Sequence, residues 1–128
     1  MILFFDKNTG TAMPKALEMM KPPFEVEYHQ KYFAMDAPDD QWLPVVGMKQ
    51  WTVIGHDKSF IDNQSELEAI KKYEIGCFFL WGANITKWEK LRIFFKAYDR
   101  IIAAESSTKK PFVYLIKKNG GLKAKKLP

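Results

Sequence analysis

The sequence has one cysteine, Cys77, and two histidines, His29 and His56, in 128 residues. A single thiol excludes an internal disulfide, and inside the apolar run GCFFL it reads as a small buried hydrophobe. So few sulfur and imidazole groups offer no tetrahedral zinc set at ligand spacing. Apolar runs stop at about five residues, far short of the roughly 20 that a membrane span needs. Met1 leads straight into an apolar run without a basic, cleavable leader, so the expected location is the cytoplasm, away from membranes. Also missing are a glycine-rich phosphate loop, a nucleophile elbow, an internal repeat and a low-complexity tract.

What is present is a globular mixture: 47% hydrophobic, 15% aromatic and 27% charged residues. The net charge of +5 is unevenly spread. Residues 1–85 hold 8 Lys/Arg against 12 Asp/Glu, whereas residues 86–128 hold 12 against 3. An acidic part that suits cations and a basic part that suits a polyanion therefore share one small chain. The bland alternative for the second is a lysine-rich solvated face.

Apolar runs alternate with amphipathic segments. MILFF at the start reads as a strand buried on both faces, and FEVEYH at 24–29 as a half-exposed edge strand. Further strands are expected at 51–55, 76–80 and 112–116. Between them, helices are expected from Thr9 or Thr11 to about Met20, over 39–49, and near 64–73 after Asn63 or Ser65. Pro44 inside 39–49 belongs in or near a first turn. The longest helix, 86–105, opens on a Thr86/Glu89 capping box and spaces Trp88, Leu91, Phe94, Phe95, Tyr98, Ile101 and Ile102 as one apolar face. This order predicts a three-layer α/β/α domain over residues 1–118 with a mainly parallel sheet of four to five strands. Residues 119–128 read as a basic, flexible tail.

Two buried strands discharge a carboxylate at their C-terminal ends: Asp6 after MILFF and Asp57 after TVIGH. Ligands of such sheets collect outside the carboxyl ends of the strands. Carboxylates brought close together repel unless a proton or cation intervenes. Asp6, Asp57 and acids of the loop APDDQW would therefore recruit a hard divalent ion, Mg²⁺ or Mn²⁺, which activates water and neutralises a phosphodiester. On the long helix, Arg92, Lys96 and Arg100 recur every four residues; they suit an RNA backbone, or serve only solubility.

FFDKN, APDDQWLPVV and TVIGHDKSF, in that order over roughly residues 1–82, resemble the PIN-like domains, close to the VapC-type toxin ribonucleases of toxin–antitoxin pairs. The resemblance implies a Mg²⁺- or Mn²⁺-dependent endoribonuclease acting on RNA. Asp6, Asp39 and Asp57 would be its metal-binding and catalytic acids, Asp40 a further ligand, and Asn8 and His56 supports. An antitoxin and a homodimer are the partners it implies. Three positions depart from the family pattern: Lys7 and Ser59 replace acids, and Gly55 replaces a Thr or Ser; Asp40 or Asp62 could supply the missing fourth acid. Two other readings fit the same residues. One is a PIN-like module that binds without cutting. The other is a phosphoacceptor receiver domain, with Asp6, Asp57, Thr86 and Lys110 near a receiver's spacing but no acid beside Asp6.

Overall fold

The computed structural model describes residues 1–57, 63–82 and 84–128, with Asp57 described by its backbone only. Six strands form one sheet in the order β2-β1-β3-β4-β5-β6. They are β1 (Ile2–Phe5), β2 (Glu25–Tyr28), β3 (Thr52–Asp57), β4 (Gly76–Trp81), β5 (Phe112–Ile116) and β6 (Leu122–Lys125). All neighbouring pairs are parallel except β5 with β6. The sheet thus has one strand more than the four to five expected. Leu122–Lys125, expected within a flexible tail, pair antiparallel with Val113–Ile116 instead. A lysine-rich LKAK segment lacks the apolar run that marks a buried strand, yet it suits an edge, where charge discourages further pairing.

Among the described residues, five α-helices connect the strands: α1 (Ala12–Met19), α2 (His29–Tyr32), α3 (Asp39–Met48), α4 (Gln64–Lys72) and α5 (Lys87–Ser107). On one side of the sheet, Met13 and Leu17 of α1 and Phe94, Ala97 and Ile101 of α5 pack on Leu3, Phe5, Ile54, Phe78 and Leu80. On the other, Trp42, Leu43 and Val46 of α3 with Leu67 and Ile70 of α4 pack on Phe4, Val53, Cys77 and Phe79. Successive strand residues feed opposite layers, so continuous apolar runs are what a doubly covered sheet requires. Cys77 is buried, and burial pushes its thiol far above the usual range, leaving it inert.

Two local expectations need correction. Pro44 lies in the second turn of α3, not near the first, and removes one hydrogen-bond donor from the helix. Trp88 and Phe95 are not on the buried face of α5; they are 68% and 56% exposed, and Ile93 and Ala97 fill the core positions beside Phe94. The apolar spacing of α5 runs around too much of its circumference to say which residues face in.

The sheet order places β1 between β2 and β3, so the chain leaves β1 on one side and returns on the other. A crevice opens at such a reversal, outside the strands' carboxyl ends. Asp6 and Asp57 stand at the carboxyl ends of β1 and β3, the neighbouring strands at that reversal.

Candidate functional site

Asp6 follows β1 directly and is 4% exposed. Its Oδ1 accepts the backbone N–H groups of Asn8 at 3.0 Å and Thr9 at 3.1 Å, capping the single 3₁₀ turn Lys7–Thr9. Its own N–H donates to Ile54 O at 3.0 Å, tying the end of β1 to β3. Burial pushes the Asp6 carboxyl up to about 7, against the N–H groups of Thr9, His56 and Asn8 and the positive charge of Lys90, all of which favour the anion. Three N–H donors fail to offset the desolvation, so the group is about half protonated near neutral pH. A second positive charge beside it would complete its ionisation.

Gly55 explains itself here. A Cβ at that position would stand 2.5 Å from Oδ2 of Asp6 and 2.5 Å from a ring carbon of Phe79. A hydroxyl side chain at position 55 has no room where this chain seats Asp6.

On the same face of the sheet, α3 and α4 present their N-termini. Asp39 is the first residue of α3, and its Oδ1 accepts the indole N–H of Trp42 at 2.8 Å. Asp39 neighbours Glu66 at the start of α4; burial first, and then this carboxyl neighbour, push Glu66 up to about 8. Glu66 is therefore mostly protonated at neutral pH and can donate its proton to Asp39. Its Oε2 is buried with no hydrogen-bond partner among the described residues. Lys7 favours the anion of Glu66, and both Lys7 and Asp39 act on His29 at the end of β2. Asp40 is exposed and lines, with Asp39, Leu43, Ser65 and Glu66, a groove of about 350 Å³.

Asp39 and Asp40 thus lie together with Glu66, an acid that sequence reasoning missed. Asp6 lies with Asn8 and His56. Asn8 serves through its backbone, and its side chain is exposed. The buried ring of His56 bonds through Nε2 to Gly82 O, fastening β3 to the end of β4. Asp57 ends β3, in register with Trp81, but its side chain lies outside the described residues, as do Ser59 and Asp62. Among the described residues, no three metal-binding side chains come together. The only signal for Glu66 in the sequence was its place three residues after the cap Asn63, where an acid reads as ordinary capping.

The basic stripe divides. Arg92 pairs with Glu89 at 2.8 Å, and Arg100 Nη1 donates to Lys96 O and Gly120 O, which ties α5 to the β5–β6 turn. Lys96 is exposed. Lys90 donates to Asn8 O at 2.9 Å and so brings the first turns of α5 to the strand ends. No helix among the described residues is long and apolar enough to cross a membrane.

In comparison with known proteins, the sequence model of the family described as "PIN like domain" matches residues 1–82. No curated protein and no solved structure matches the chain.

Proposed function

The chain belongs to the PIN like domain family, and from that premise we propose that it is a metal-dependent ribonuclease, the toxin of a toxin–antitoxin pair or a relative of one. One observation carries the reading. At the carboxyl edge of the sheet, burial opposes ionisation of Asp6, and Asp39 and Glu66 share a second neighbourhood that keeps a proton. Acids held in this way against their own repulsion and desolvation suit a divalent cation, and a donor set made of carboxyl oxygens suits Mg²⁺ or Mn²⁺. Asp6, Asp39 and Asp57 would hold the ion, with Glu66, whose buried Oε2 has no hydrogen-bond partner among the described residues, as the fourth acid in place of Asp40 or Asp62. The ion supplies charge neutralisation at the phosphodiester and an acidified water. The chain's own groups do the positioning. N–H groups of Asn8, Thr9 and His56 fix the Asp6 carboxyl, and Trp42 fixes that of Asp39.

Purified protein is expected to cut single-stranded RNA in Mg²⁺ or Mn²⁺, and Asp6→Asn or Asp57→Asn to abolish cutting. Cutting that survives both substitutions overturns the proposal. A silent binding module is the second reading, favoured by the absence of a three-residue metal cluster among the described residues. It predicts RNA binding with no cleavage in either ion. Labelling of Asp57 by acetyl phosphate is the result that would revive the receiver reading. Co-purification with an antitoxin, and a dimer in solution, are the partner states this proposal expects.

A further inference from the structure

Two large rings of α5 are left to solvent: Trp88 in its first turn is 68% exposed and Phe95 is 56% exposed. Trp88, Arg92 and Phe95 stand at i, i+4 and i+7, so ring, guanidinium and ring follow one another along a single outward stripe. Lys87 and Lys96 flank it, both exposed. Lys90, two residues after Trp88 and so about 200° around the helix, bonds the carbonyl of Asn8, whose N–H holds Asp6; the stripe itself looks away from that contact. Residues 86–128, which carry the helix, hold 12 Lys/Arg against 3 Asp/Glu and lie outside the stretch that matches the family.

We infer that the outer face of α5 holds unpaired nucleotides of an RNA strand, bases stacked on Trp88 and Phe95 and phosphates set against Arg92 and Lys96. The inference rests on the nuclease reading for the identity of the polyanion. Charge complementarity selects the occupant. A second copy docked two-fold on this helix would set Lys87, Arg92 and Lys96 near their own kind, whereas a phosphate backbone neutralises them. Stacking selects the strand state: aromatic faces accept any unpaired base, while the bases of a duplex already cover one another. Arg92 remains available, because its partner Glu89 is a surface residue and such pairs exchange readily.

The test uses the full chain in EDTA, where metal-dependent cutting cannot occur, with a short labelled oligoribonucleotide offered single-stranded and as its duplex. Anisotropy and tryptophan fluorescence are read together. Expected are preference for the single strand, quenching of tryptophan emission, and a loss of affinity of about 5- to 100-fold in each of Trp88→Ala and Phe95→Ala. Trp88→Phe keeps a ring and is expected to retain most of the affinity. Melting curves check that these exposed positions leave folding unchanged. Unaltered affinity in both alanine variants overturns the inference, as does equal binding of the duplex. Loss of a dimer in Trp88→Ala with RNA binding intact assigns the face to a second copy and also overturns it. Stacking-dependent binding without cleavage in Mn²⁺ leaves this inference standing and removes the nuclease reading. Asp6-dependent cleavage with the same KM in Trp88→Ala does the reverse.

Discussion

Oδ2 of Asp6 occupies the space that a side chain on Gly55 would fill, with 2.5 Å between the carboxyl oxygen and an ideal Cβ. The glycine and the buried aspartate are therefore one feature. Gly55→Ser is expected to destabilise the protein by about 1–3 kcal/mol through overpacking. Phe79 blocks retreat on the other side, since its ring is equally close. Denaturant unfolding checks the loss; an unchanged midpoint would mean that the Asp6 side chain swings away freely.

Asp6 should also make the metal-free protein less stable as pH rises. Its carboxyl moves from the ordinary 3.8 to about 7 on folding, so between those values the native state keeps a proton that the unfolded chain has lost. The penalty is absent below pH 4 and complete above about 7, with an upper bound of roughly 4 kcal/mol. Asp6→Asn keeps an oxygen for the N–H groups of Asn8 and Thr9 and never ionises. Its Tm is expected to exceed that of the unsubstituted protein by a margin that widens from pH 4 to pH 8 in EDTA. Adding Mn²⁺ at pH 8 is expected to reverse the order, because an ion that binds only the native carboxylate stabilises by mass action. A margin that stays flat with pH would show that Asp6 ionises freely.

The sheet was legible because its strands are buried on both faces and so appear as unbroken apolar runs. The strand-end positions of Asp6 and Asp57 were legible because each follows such a run at its C-terminal end. Residues 122–125 escaped because an edge strand needs only backbone partners on one side, and LKAK carries no apolar pattern. Glu66 escaped for a different reason. An acid in the first turn of a helix satisfies the helix wherever it stands, and only the packing of α4 against α3 sets it beside Asp39. The outward turn of Trp88 and Phe95 likewise follows from how α5 lies on the sheet.

Glu66→Gln separates the pairing of Glu66 with Asp39 from the ability of Glu66 to ionise. The amide can still donate a hydrogen bond to Asp39, as the protonated acid does. At pH 4, where the acid is protonated whether folded or unfolded, folded stability is therefore expected to change by less than about 1 kcal/mol. The acid is raised from 4.5 to about 8 on folding, so the native state alone holds the proton between those values, and the native acid loses stability as pH climbs through them. The amide variant is expected to be the more stable of the two at pH 9 without metal. Cleavage in Mn²⁺, by contrast, is expected to fall at least tenfold because the fourth acid is gone. Full activity in Glu66→Gln would remove it from the proposed ligand set.

His29 should limit stability on the acid side. It is fully buried at the end of β2, with both ring nitrogens lacking hydrogen-bond partners among the described residues. Its ring stands edge-on to Trp42 at 5.8 Å, at 84° between planes, and tilted against Phe33 at 5.4 Å. Burial first, and then the charge of Lys7, hold its pKa below the ordinary 6.5; Asp39 opposes them only in part. The unfolded chain therefore takes up a proton near pH 6.5 that the native state refuses, and stability declines as pH falls below that value. His29→Phe places a ring of similar outline among the same aromatic neighbours and removes the titration. The Tm of the variant is expected to gain on that of the unsubstituted protein by a margin that widens from pH 7 to pH 5. Asp6 and Glu66, whose raised carboxyls act in the opposite sense, are common to both proteins and cancel in the difference. Identical slopes in the two proteins would mean that His29 accepts its proton in the folded state, which its buried and unpartnered nitrogens argue against.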